Sequence, residues 1–174
     1  MTDQAEGVGE LPGDGLADTV GRMFSTLVGR RIPRQRQRRL RLLPSPEAPT
    51  MARCLLISAL DDWSLPHLRE PAELVVSELV SNAVLHAGTE LELRLTFHDD
   101  GLCVAVRDND PTPPQPRRVE VGCTTPGGRG LHLVNLLSYR WGWFTAKGEK
   151  LVWAFVTALT PARPATATAT AAAA

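Results

Sequence analysis

Residues 71–108 read PAELVVSELVSNAVLHAGTELELRLTFHDDGLCVAVRD, and the period of the apolar residues changes halfway along. From Pro71 to Ala87, Val75, Val76, Leu79, Val80, Ala83 and Val84 recur at helical spacing and cover one broad arc. Pro71 suits a first helical turn, and Gly88 suits the left-handed position after the last. From Leu91 the period drops to two. Leu91, Leu93, Leu95 and Phe97 alternate with polar residues, Asp100-Gly101 is a hairpin turn signal, and Leu102, Val104 and Val106 return on one face. A helix followed by an antiparallel hairpin is the expected unit.

Two features of this unit carry chemistry. Glu78 and Asn82 lie four residues apart, so they stand about 40° apart at the margin of the apolar arc. Asp108 ends the inward-facing row of the second strand. An aspartate there is costly unless something binds it.

The flanking sequence extends the pattern. Upstream, Arg38 to Leu43 reads as a strand, and Pro46 to Leu60 as an amphipathic helix with Ser45 as N-cap. Downstream, residues 109–127 form a long proline-rich loop without periodicity, a kind usually functional or disordered. Gly127, Gly128 and Gly130 then bracket Arg129 before an apolar helix over Gly130 to Ser138. Tyr139 to Phe144 and Leu151 to Leu159 read as strands joined at Lys147-Gly148. The order predicts an α+β fold: a two-layer α/β sandwich with a mostly antiparallel sheet and helices on one face.

At 174 residues the chain is read as one domain with tails. Residues 1–29 form a Gly-rich tail, 30–160 the domain, and 161–174 an Ala/Thr/Pro tail expected to lack structure. Net charge is zero and names no partner. No stretch approaches the roughly 20 apolar residues of a membrane span, and no signal-peptide pattern opens the chain, so a cytoplasmic location is expected. Cys54, Cys103 and Cys123 have no metal-site or disulfide spacing. Cys54 and Cys103 read as small core residues. Arg30, Arg31, Arg34, Arg36, Arg38, Arg39 and Arg41 form a basic run. It reads as protection of an edge strand, as a surface for an acidic protein, or as a phosphate contact; no aromatic interleaving supports single-stranded nucleic acid. The Trp141 and Trp143 pair reads first as core packing.

Each chemical motif has an ordinary alternative. Glu78 and Asn82 could be a solvated acid and a helix-surface amide. As a pair they suit a metal-bound phosphate, the amide oxygen as ligand and the carboxylate as base. Asp108 could simply start the turn Asp108-Asn109-Asp110-Pro111, or it could accept a hydrogen bond from an exocyclic amine. The glycines could be an ordinary turn, or could bring backbone N–H groups and a helix N-terminus to a phosphate.

Together, SELVSNAVLHAG, VAVRDNDPTPP, GGRGLHLVNLL and GEKLVWAF resemble the successive boxes of the GHKL ATP-binding domain of gyrase and the histidine kinases. The closer resemblance, over residues 38–159, is to anti-sigma-factor serine/threonine kinases and related bacterial single-domain regulators. The resemblance implies ATP and Mg²⁺ as cofactors. It implies Glu78 as general base, Asn82 as the Mg²⁺ ligand, and Asp108 as partner of the adenine amino group. Gly128, Arg129, Gly130 and Leu131 would hold nucleotide, under a lid over 111–127. It implies a sigma factor and an anti-sigma antagonist as protein partners, allows a homodimer, and does not point to nucleic acid. Asp108 is not followed by the family's DxGxG glycines, and no hairpin carries a phospho-accepting histidine. The chain is thus expected to be a protein kinase of this type or, alternatively, an ATP-binding regulatory module without transfer. His86 reads as a packing or capping residue.

Overall fold

The computed structural model describes residues 36–98, 101–114, 130–146, 148–158 and 167–171. Strand β1 (Gln37–Leu42) leads to helix α1 (Ala48–Asp62), a 3₁₀ turn (Pro66–Leu68) and helix α2 (Arg69–Asn82), which runs on as a π-helical turn (Ala83–Ala87). Strands β2 (Leu91–His98) and β3 (Gly101–Asp108) follow, then helix α3 (Gly130–Leu137) and strands β4 (Arg140–Ala146), β5 (Glu149–Thr157) and β6 (Ala167–Ala171). The six strands lie in the order β1-β2-β3-β5-β4-β6, all pairs antiparallel except β4 with β6. Helix α2 packs between α1 and α3 and against β3 and β5. The expected α+β sandwich is what the chain forms.

The core lies between the helices and one sheet face. Leu56, Leu60, Val75, Val76 and Val80 meet Leu91, Leu93, Leu95, Leu102, Val104 and Val106, all fully buried. Trp141 packs there too, its ring tilted against Trp143 and its indole N–H donating to Asn135 Oδ1 at 3.0 Å. Core packing is therefore the role of this tryptophan pair.

Several expectations shift. Helix α1 starts at Ala48 rather than Pro46: Glu47, not Ser45, is its N-cap residue, and Ser45 contributes only a backbone carbonyl to Ala48 N–H. Cys54 and Met51 face solvent, so the apolar arc of α1 is narrower than its sequence suggests. The β2–β3 connection is residues 99–100, with Gly101 already paired with His98 inside β3. A β-carbon at Gly101 would strike the Val156 carbonyl, so glycine is needed there for close strand approach rather than for a turn.

Strand β2 also departs from half-burial. Arg94, Thr96 and His98 are buried along with the leucines. The reverse face of the sheet holds a second apolar cluster of Cys103, Ala105, Phe144, Leu151 and Trp153. Burial pushes the Cys103 thiol far above its usual range.

The low-complexity tail is expected to lack structure, yet residues 167–171 form β6 along β4. An edge strand offers unpaired backbone groups, and alternating threonine suits strand geometry. Of the basic run, Arg36 lies over Phe97, and Arg38 pairs with Asp62 at 2.8 Å and lies over Trp63. Arg41 reaches Glu92 at 3.9 Å. These arginines decorate edge strand β1. Arg30, Arg31, Arg34, Cys123, the 1–29 tail, Gly128, Arg129 and lid residues 115–127 lie outside the described residues. No helix among the described residues is long and apolar enough to cross a membrane.

Candidate functional site

Helix α2 is a regular α-helix up to Asn82 and then widens. Gly88 N–H reaches back to Ala83 O at 3.3 Å, a bond one residue longer than an α-helical one. Gly88 ends the turn in the left-handed region at φ 59°. Such π-turns are frequent at functional sites because they re-aim side chains. Here the turn sets Ala83 and His86, with Leu79 and Asn82 from the preceding α-helix, along one wall of a cavity of about 200 Å³.

The other walls come from three elements distant in sequence. Val106, Asp108 and Asp110 enter from β3 and the segment after it, Gly130 and Leu131 from the start of α3, and Lys150 and Val152 from β5. Thr112, Pro113 and Pro114, from the described start of the expected lid, complete it. Leu79, Ala83, Val106, Leu131 and Val152 give the cavity apolar wall, as an aromatic ligand requires.

One polar group sits where α2 meets α3. A β-carbon at Gly130 would strike Glu78 Oε2 and stand 3.5 Å from Asn82 Nδ2. Glu78 and Asn82 therefore share a helix face, as their spacing predicts, and that face abuts the glycine that opens α3. Both side chains are half-buried.

A second polar group sits at the end of β3. Asp108 is only 2% exposed, confirming its inward register. Its Oδ1 accepts from Asp110 N–H at 2.9 Å and lies 3.5 Å from Lys150 Nζ. Burial raises the Asp108 carboxyl above the usual carboxylate range, opposed by the Asp110 N–H bond and by Lys150. Asp110 is held below that range by hydrogen bonds from Thr112. Asp108 is thus both a turn former and a buried acceptor.

Lys150, Asp110 and His86 line the cavity though the sequence reading gave them no part in the site. His86 is exposed and lines the cavity rather than packing in the core. Lys150 was legible in principle: pairing β3 with β5 puts it opposite Asp108, but nothing local indicates that those two strands are neighbours. Gly130 and Leu131 are brought to the cavity as expected.

Among curated proteins, a comparison finds none that matches this chain. A family model, described as the histidine kinase-like ATPase domain, matches residues 50–154. That span runs from the first turn of α1 into β5 and takes in every described polar group of the cavity. On this match, and with Asn82, Asp108 and Gly130 lining one cavity and Glu78 abutting Gly130, the chain belongs to the histidine kinase-like ATPase, or GHKL, domain family.

Proposed function

We propose that this chain is an ATP- and Mg²⁺-dependent serine/threonine protein kinase of the anti-sigma-factor type, one that binds a sigma factor and phosphorylates an anti-sigma antagonist. Membership of an ATP-binding family supports the nucleotide. The observation that carries the reading is the packing of Gly130 on Glu78 and Asn82 at the same cavity that Asp108 enters. That arrangement provides a base, an amide and a helix N-terminus on one side, and a purine acceptor on another.

The residues fit a magnesium ion. Asn82 offers one neutral oxygen donor on the cavity wall, and Mg²⁺ takes few protein ligands and keeps phosphates and waters. Asn82 lines the cavity beside Gly130, and its side-chain oxygen is the atom that would hold the ion. When bound, the ion neutralises charge on the transferred phosphoryl group.

The chain's own residues do the rest. Asp108 anchors the base, the apolar walls exclude water, and the N-terminus of α3 faces negative charge. Glu78 accepts the proton of the attacking serine or threonine hydroxyl. Labelled ATP with purified antagonist tests the reading. Transfer is expected with wild type, and Glu78→Ala should lose transfer while still binding ATP. Binding of ATP without any transfer would leave a nucleotide-responsive module that acts through protein contacts.

A further inference from the structure

We propose that Lys150 reads the N1 position of the adenine ring, its ammonium donating to N1 while Asp108 Oδ2 accepts from the N6 amino group; the inference rests on ATP being the nucleotide of this cavity. The placement of Lys150 is the starting observation. A lysine is seldom buried, because its charge loses water. This one is only 6% exposed and its side chain lines the cavity.

Its position is also fixed. Lys150 and Asp108 are directly opposed on neighbouring antiparallel strands, so their side chains leave the sheet on the same face. The ammonium donates to the Asp110 carbonyl at 3.1 Å and faces Asp108 Oδ1 at 3.5 Å and Asp110 Oδ2 at 3.8 Å. An ammonium has three N–H donors in all. One is committed to the carbonyl and one to the carboxylates, which leaves one for a ligand.

Asp108 is divided in the same way. Oδ1 takes the Asp110 N–H and the lysine, and among the described residues no hydrogen bond reaches Oδ2. The cavity thus presents one acceptor and one donor side by side. The Watson–Crick edge of adenine presents the complement on adjacent atoms: N6–H donates and N1 accepts. An aspartate alone would satisfy N6 and leave N1 without a protein donor, whereas Lys150 supplies one beside it. A 6-oxopurine reverses the edge, with an acceptor at position 6 and a donor at N1. It would set like against like at both groups.

Calorimetric titration of the full chain with Mg²⁺ and three probes tests the assignment: ATP, 1-deaza-ATP and inosine triphosphate. Wild type is expected to bind 1-deaza-ATP and inosine triphosphate each about tenfold or more weaker than ATP, the usual cost of one lost charged hydrogen bond. Lys150→Met is expected to bind ATP and 1-deaza-ATP equally, both near the weaker level. A merely structural lysine would not remove that difference. The wild-type comparison stands by itself if the variant fails to fold. Equal wild-type affinity for ATP and 1-deaza-ATP, equal affinity for inosine triphosphate, or tighter ATP binding by Lys150→Met would each overturn the inference while leaving the ATP reading intact. No ATP binding by folded wild type would overturn both.

Discussion

Gly130 lies so close to Glu78 that any side chain at position 130 would meet the carboxylate. The glycine is not there for backbone freedom, since its φ is not in the left-handed region. It is there for space. This contact couples the opening of α3 to the face of α2 that bears the proposed base.

Gly130→Ala should therefore separate folding from function. The atom in the way is the end of a flexible glutamate, so the fold can yield, and alanine favours helix. Stability by urea denaturation should change by less than about 1 kcal/mol. Phosphoryl transfer should fall about a hundredfold, because displacing a catalytic group by an ångström costs that much. Full activity in the alanine variant would show that the contact does not position Glu78.

Asn82→Ala should act through the metal. ATP titrations in the presence and absence of Mg²⁺ are expected to coincide for this variant, whereas wild type should bind the magnesium complex about tenfold or more tightly. A retained magnesium effect would move the ligand role elsewhere.

Asp108 should leave a pH signature. Its folded pKa is raised above the ordinary 3.8, so the folded state holds the proton more tightly than the unfolded chain does. Stability should then decline as pH rises from about 3.8 through the raised value, and be level above it. Asp108→Asn should flatten that decline in acid-range denaturation curves. ATP affinity should fall in the opposite direction, as acidification protonates the acceptor. A wild-type curve that rises with pH across this window, and no less steeply than that of the variant, would refute the burial argument.

Leu56 and Met51 lie on the same helix but should behave differently. Leu56 is fully buried, and Leu56→Ala should cost about 2–5 kcal/mol in chemical denaturation. Met51 is half exposed, and Met51→Ala should stay within about 0.5 kcal/mol. Equal losses would mean the packing of α1 is misplaced.

The local sequence determined much of this molecule. Helical spacing across Val75 to Val84 and alternation across Leu91 to Val106 set the central helix and hairpin, because those periods follow from backbone geometry alone. The same arithmetic put Glu78 beside Asn82 and turned Asp108 inward. Local pattern could not show what lies opposite. The burial of Arg94, Thr96 and His98 depends on a second apolar cluster on the reverse of the sheet. Strand β6 depends on the open edge of β4. Above all, Lys150 meets Asp108 because β5 pairs with β3, leaving β4, its hairpin partner, on its far side. Strand pairing between distant segments is a property of the packed sheet. Only the tertiary structure therefore decided that the buried carboxylate shares its cavity with an ammonium.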